Sequence, residues 1–191
     1  VVSHVVHPAA QKVTFVPLVG GVGRVRMELH ANSLAESLSR IYDGKFVPLH
    51  APARVSSRNI RDELLKEDSL LPAIYLTQKL DIAVVGIGYP NEKSAIMATG
   101  YFKENEIESL IDRKVAGELC MQFYDIYGDT APYKDDNNVI GMDISMLRSV
   151  PRSIGIAGGV EKLRAVRGAI NGHYINTLIT DIECAEALIS E

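Results

Sequence analysis

Short apolar runs alternate with segments of helical period along this chain, and several of the runs end on glycine. Val13 to Val16 forms the first run, closed by Pro17. The turn Gly20-Gly21-Val22-Gly23 leads into a helical pattern over Met27 to Tyr42, with Leu34, Leu38 and Ile41 facing inward and Asp43-Gly44 stopping it. Phe46 to His50 reads as the next strand, which Pro48 confines to an edge or to an early end of pairing. Ser56-Ser57 caps a helix that runs to Lys66, and a further helix covers Ser69 to Lys79. Asp81 to Gly88 then has the all-apolar character of a central parallel strand.

The middle of the chain is less regular. A charged helix is expected around Glu104 to Asp112 and a second helical start at Gly117-Glu118, followed by a polar surface loop over Gly128 to Asn138. After it, Ile154-Gly155-Ile156-Ala157 delivers the pair Gly158-Gly159 and then Lys162 to the start of a helical pattern whose buried stripe is Leu163, Val166 and Ile170. Backbone amides and an ammonium converge at such a turn, so it is a place to hold an anion. A second short run ends on Thr180-Asp181 before the last helical pattern. Ligands of a parallel sheet bind at the carboxyl ends of strands, so these two ends read as one wall of a crevice. Alternating strands and helices predict an α/β fold: a twisted, mainly parallel sheet with helices on both faces, as one domain over residues 1–191.

Composition narrows the partners. With 191 residues and 47% hydrophobic content the chain can bury a real core. A net charge of −4 and a pI near 5.8 argue against tight nucleic-acid binding by this segment, since that needs clustered Lys and Arg. Cys120 and Cys184 have neither CxxC nor metal-ligand spacing, which suits a reduced compartment. No apolar run has membrane-spanning length, so a cytoplasmic location and no membrane partner are expected. The glycine clusters are not dinucleotide fingerprints: Gly20-Gly21-Val22-Gly23 lacks the third glycine, and Tyr89-Pro90 follows Gly86-Ile87-Gly88 where a helix should begin. A P-loop is absent as well.

Each candidate has a plain alternative. Lys162 could be a solvated charge, and Glu118 an acid favoured at a helix N-terminus. His30 could be an interior histidine bonded to a carbonyl, and His50 is structural. His4 and His7 lack a third ligand for a metal, so no metal or cofactor is expected. Thr180-Asp181 is expected to cap the final helix.

Seven segments in order carry a family resemblance: Val16-Pro17-Leu18-Val19-Gly20-Gly21, His30-Ala31-Asn32, His50-Ala51-Pro52-Ala53, Val84-Val85-Gly86-Ile87-Gly88, Ala116-Gly117-Glu118-Leu119, Ala157-Gly158-Gly159 with Lys162, and Leu178-Ile179-Thr180-Asp181. Together they span essentially the whole chain. It resembles the sugar-binding effector domain of SorC-type bacterial transcriptional regulators, a group that includes central glycolytic gene regulators and some deoxyribonucleoside regulators.

The resemblance implies a three-layer Rossmann-like domain related to glucosamine-6-phosphate deaminases and ribose-5-phosphate isomerases, used to sense a phosphorylated sugar. It places His30 and Asn32 near the sugar, gives Glu118 the sugar hydroxyls, sets Lys162 with Gly158 and Gly159 against a phosphate, and puts Gly20, Gly21, Gly86 and Gly88 along the crevice. Val19 stands where some members carry Lys or Arg, which removes an imine or phosphate contact there. It also implies DNA binding through an N-terminal helix-turn-helix domain outside this chain, an earlier strand with a phosphate loop that Val1 to Ala10 do not contain, and a homodimer or homotetramer.

An isomerase or deaminase of the same fold is the rival reading, with Glu118, Asp143, Asp181 and His30 as candidate acids and bases. None of them sits in a recognised catalytic motif, so no catalytic residue is expected. A plain interaction scaffold is a third reading, and it leaves the glycines at strand ends without a reason. The exposed aromatic content expected of Tyr101-Phe102, Phe123-Tyr124 and Tyr127 would serve subunit contacts, with core burial as the alternative for Phe123.

Overall fold

Parallel strand pairs linked through helices build most of the molecule, as the alternating pattern requires. The computed structural model describes residues 12–21, 30–91 and 100–190 together with Val5, Ser94 and Ile96. The expected turn residues Val22 and Gly23, the first residues of the helix expected from Met27, and His4 and His7 lie outside the described residues. The chain divides into two compact units, Val1–Lys79 with Asn138–Met142, and Leu80–Asn137 with Asp143–Glu191.

In the first unit β1 (Thr14–Phe15) pairs in parallel with β2 (Lys45–Phe46), with Phe15 opposite Phe46. Between them runs α1 (Ala31–Ile41), followed after β2 by α2 (Arg58–Leu64) and α3 (Leu71–Thr77). β2 ends two residues before Pro48, which cannot donate to a ladder. Ser57 caps α2, its hydroxyl accepting from Ile60 N at 3.4 Å. Leu49, Leu70, Ala73 and Ile140 form a buried cluster over which Val16, Val47, Leu64 and Ile74 pack. Ile140 belongs to the segment that returns to this unit from far along the chain, bridging Val19 to Gly141 and Arg54 to Val139.

The second unit contains a three-stranded parallel sheet in the order β3 (Ile82–Gly86), β6 (Arg152–Ile156), β7 (Thr177–Ile179). Val84 lies opposite Ile154, and Ile156 opposite Ile179. Its helices are α4 (Glu104–Asp112), α5 (Leu163–Asn171) and α6 (Ile182–Ser190). β3 departs from the expected central strand. It stands at one end of this order, and its residues alternate between buried Ala83 and Val85 and the half-exposed Ile82 and Val84.

The helical start expected at Gly117-Glu118 is instead a strand. β4 (Gly117–Leu119) and β5 (Gln122–Tyr124) form an antiparallel hairpin with Leu119 opposite Gln122. The two turn residues, Cys120 and Met121, both have positive φ, 50° and 63°, the conformation of a primed two-residue turn. Asn-Gly is the usual signature of that turn, and its absence hides the hairpin. The buried face of α5 also differs from the expected stripe. Ala165, Val166, Gly168 and Ala169 are buried while Ile170 is exposed, because small residues let Tyr124 and its strand approach the helix. Tyr124 Oη donates to Ala165 O at 2.9 Å across that contact.

Residues 131–136 of the expected loop form a 3-10 helix whose Tyr133 is buried, its hydroxyl donating to Arg113 O at 2.9 Å. Phe102, Phe123 and Tyr124 are core residues and Tyr127 is exposed.

Candidate functional site

The end of β3 and the β4–β5 hairpin meet at Gly88 and Glu118. Gly88 N donates to Glu118 O at 3.0 Å and Glu118 N donates back to Gly88 O at 2.9 Å. A Cβ at position 88 would overlap the Glu118 side chain, so glycine here leaves the carboxylate the place it occupies. The tight turn then orients the acid: Met121 N donates to Glu118 Oε2 at 2.9 Å. The strained Cys120-Met121 pair therefore aims an amide at the carboxylate two residues back from the turn.

A pocket of about 220 Å³ opens over this carboxylate. Gly88, Tyr89, Asn91, Ser94 and Ile96 line it from the segment after β3, Glu118 from β4, and Glu161 with Lys162 from the 3-10 turn (Val160–Lys162) that leads into α5. Glu118 is partly exposed at the pocket, yet its carboxyl is pushed up to about 7. Burial is the largest cause. The Met121 amide and the Lys162 ammonium oppose it without cancelling it. Two carboxylates and one ammonium thus share the pocket wall, and Ser94 Oγ, buried, has no hydrogen-bond partner among the described residues. The arrangement offers a cation for an anionic group and acceptors for hydroxyls.

The Gly158-Gly159 turn is built differently from an open anion cradle. Gly159 has φ +95°, and its amide donates to Asp181 Oδ2 at 2.6 Å. Asp181 Oδ1 accepts from Cys184 N at 2.8 Å, so one carboxylate caps α6 as expected and also holds the glycine turn. The Cys184 and Gly159 amides keep the Asp181 carboxyl below its ordinary range. The amide expected to face an anion is thus engaged by the chain's own carboxylate. Gly86 is exposed and is not among the pocket's lining residues.

The remaining expected site residues belong to the first unit. Gly20 N donates to Ile140 O at 2.9 Å and Gly21 N to Ala51 O at 2.8 Å; a Cβ on Gly20 would meet Ala51 O at 2.5 Å. That glycine is set by backbone crossing. Asn32 uses both ends of its amide on one residue, donating to Leu49 O at 3.0 Å and accepting from Leu49 N at 2.9 Å. His30 precedes α1, and its Nδ1 lies 3.9 Å from where a Cβ on Gly21 would stand.

Of the expected residues, Gly88, Glu118 and Lys162 therefore line one pocket. Tyr89, Asn91, Ser94, Ile96 and Glu161 escaped the sequence reading. The turn-forming cluster Gly88-Tyr89-Pro90-Asn91 at a strand's carboxyl end was the signal available for the first of them. Among the described residues no group of three or more His, Cys, Asp or Glu is placed to hold a metal, and no helix is long and apolar enough to cross a membrane.

Residues 1–190 match the family described as "Putative sugar-binding domain". The chain is 30% identical over 181 residues to the sorbitol operon regulator of Klebsiella pneumoniae, covering 94% of this chain and 58% of that protein. It is 33% identical over 184 residues to the transcriptional regulator LsrR of Escherichia coli (strain SMS-3-5 / SECEC), covering 95% and 56%. The crystal structure of the full-length sorbitol operon regulator SorC from Klebsiella pneumoniae matches with a TM-score of 0.89 at 30% identity, over 98% of this chain and 62% of that one. The chain thus spans less than two thirds of the length of these relatives, which are named as regulators and not as isomerases or deaminases. It belongs to the sugar-binding domain family of SorC-type transcriptional regulators.

Proposed function

We propose that residues 1–191 act as one effector-binding domain of a bacterial transcriptional regulator, and that the pocket over Glu118 holds a phosphorylated sugar. The observation that carries this reading is the convergence of Lys162 and Glu118 on one small cavity beside Gly88. Lys162 takes the phosphate, Glu118 takes sugar hydroxyls, and Gly88 keeps the floor free of side chains. A cavity of this size suits a small metabolite better than a dinucleotide. In this reading Gly158 and Gly159 shape the backbone near the ligand, and Gly86 flanks it.

The finer fold assignment goes with the function: a three-layer Rossmann-like domain of the kind found in glucosamine-6-phosphate deaminases and ribose-5-phosphate isomerases. The parallel β3-β6-β7 order supports it, and one family description covers both units. In the whole protein, a homodimer or homotetramer, occupancy shifts an equilibrium between states that an attached helix-turn-helix domain reads on DNA. The ligand can shift that equilibrium only by its differential affinity for the two states.

The test is a set of hexose and pentose phosphates and their unphosphorylated parents, followed by thermal melting and by NMR for conversion. A ligand at a hundredfold excess over its Kd stabilises by about 2.7 kcal/mol, so modest binders register. Saturable stabilisation without product is expected, and turnover would remove the sensor reading. Lys162→Ala should weaken a phosphorylated ligand at least tenfold more than its parent sugar. Equal losses for both would take Lys162 out of the phosphate role.

A further inference from the structure

Glu118 and Glu161 put two carboxyl groups into a cavity of about 220 Å³ whose described lining holds a single ammonium, that of Lys162. With both acids ionised, negative charge there exceeds positive by one. A phosphate monoester brings about 1.5 to 2 further negative charges at pH 7. In so small a space like charges oppose one another, and the acid that gives up its charge most easily relieves them.

The groups around Glu118 decide which acid that is. Tyr89 from the segment after β3, and Glu161 with Lys162 from the turn before α5, face the cavity with it. Cys120 in the hairpin turn and Tyr124 on β5 lie near enough to feel its charge. Burial first, and that charge second, push the Cys120 thiol up to about 12 and the Tyr124 phenol well above its ordinary range, so both stay neutral from pH 6 to pH 8. What α5 sets against Gly117 of β4 is the uncharged Ala165. No histidine is among the described lining residues. Glu118, whose carboxyl burial already holds at about 7, is the group poised to change.

The hairpin also fixes where a proton sits. Oε2 accepts from Met121 N at 2.9 Å, whereas Oε1 lies on the side of Gly88. A proton on Oε1 leaves the Met121 bond intact and gives the acid a donor in place of a charge.

We propose that ligand binding is coupled to proton uptake: Glu118 takes up a proton when an anionic sugar enters the pocket beside Lys162, so the site binds more tightly as pH falls. This rests on the pocket reading above and gives it a sign of response. Below pH 7 the proton is already present and affinity is full; as pH rises through 7 the proton must be acquired on binding, and affinity falls. By the same linkage, an occupied pocket holds its proton to higher pH than an empty one.

Calorimetric titrations with glucose 6-phosphate, ribose 5-phosphate and glucose 6-sulfate, in paired buffers of different ionisation enthalpy, read the protons exchanged. The sulfate ester keeps one charge throughout, so any proton exchanged with it is the protein's. For the phosphate esters, whose own proton titrates nearby, the difference between wild type and Glu118→Gln is the measure. Wild type at pH 7.5 should take up on the order of half a proton per ligand, and its affinity for the sulfate ester should fall roughly three- to tenfold from pH 6 to pH 8. Glu118→Gln, a mimic of the protonated acid, should bind with little change over that range and take up none, while Glu161→Gln should still take up a proton. Proton release or no exchange by wild type on binding a probe, uptake that survives in Glu118→Gln, or failure of folded Glu118→Gln to bind would each overturn the proposal and leave the pocket reading standing. The wild-type titration decides alone where the variant does not fold. Absence of wild-type binding to all three probes would remove the pocket reading and this one with it.

Discussion

Glu118 holds its carboxyl where burial outweighs the two groups that favour its charge, the Met121 amide and the Lys162 ammonium. Its pKa, about 7 in the folded protein against 4.5 for an ordinary glutamate, makes the folded state bind more protons than the unfolded one between those values. Stability from this residue is therefore fully present below about pH 4.5 and is lost as pH rises through 7. The full swing is on the order of 3 kcal/mol, reduced by the residue's partial exposure at the pocket. Glu118→Gln keeps an oxygen to accept the Met121 N–H and removes the ionisation. Denaturation midpoints from pH 5 to pH 8 should fall for wild type and fall less for Glu118→Gln, with the variant the more stable of the two at pH 8. Parallel profiles would show that Glu118 titrates as an ordinary surface acid.

At the level of elements, α1, α4 and α5 end in the same way. The residue after the cap lies in the left-handed region, Asp43 at φ 50°, Lys114 at 61° and His173 at 55°, and none is glycine. Each end closes with a pair of bonds: Asp43 N to Arg40 O at 3.4 Å with Gly44 N to Ser39 O at 2.8 Å, Lys114 N to Ile111 O at 2.8 Å with Val115 N to Leu110 O at 3.1 Å, and His173 N to Ile170 O at 2.9 Å with Tyr174 N to Ala169 O at 3.0 Å. This is the Schellman arrangement, which favours glycine at that position. Asp43 has the further disadvantage of a negative charge at a helix carboxyl end, whereas the charge of Lys114 is favourable there by about 0.3–1 kcal/mol. Asp43→Gly should therefore raise unfolding free energy by about 1 kcal/mol and Lys114→Gly by distinctly less. Urea unfolding that ranks them in reverse would contradict the argument.

These caps also mark what a sequence shows. The stop of α1 is readable at Asp43-Gly44, but the residue that turns is the aspartate, a detail only φ reveals. β3 and β6 were legible because apolar runs that end on glycine have few other uses, and β7 because its short apolar run stops at Thr180-Asp181 before a helical pattern. The hairpin that carries Glu118 was hidden because Cys120-Met121 has no turn chemistry of its own and adopts positive φ under tertiary constraint. Glu118 and Lys162 could be named in advance as single residues. Their shared pocket with Ser94 depends on contacts between segments distant in sequence, which no local pattern encodes.

Taken whole, the chain is acidic, with 20 Lys and Arg against 24 Asp and Glu, while the relatives it matches are named as regulators of transcription and are longer than it is. Binding to DNA gains its strength from cations that displace the counterions of the phosphate backbone, and a surface with a net charge of −4 has no excess of them to offer. The ligand recognition proposed above asks for less: among the described residues of the pocket a single ammonium, that of Lys162. The two tasks thus call for different surfaces, and this chain is suited to the second. Fluorescence anisotropy with a labelled 20-base-pair duplex at about 150 mM salt should give no saturable binding by residues 1–191 up to about 100 µM, the weak limit of ordinary non-specific affinities. Adding a sugar phosphate that stabilises the protein should not change that result, because occupancy of the pocket brings further negative charge and no cation. Saturable binding in the low micromolar range, weakening steeply as salt is raised, would reveal a clustered basic face within this chain and would move DNA contact into it.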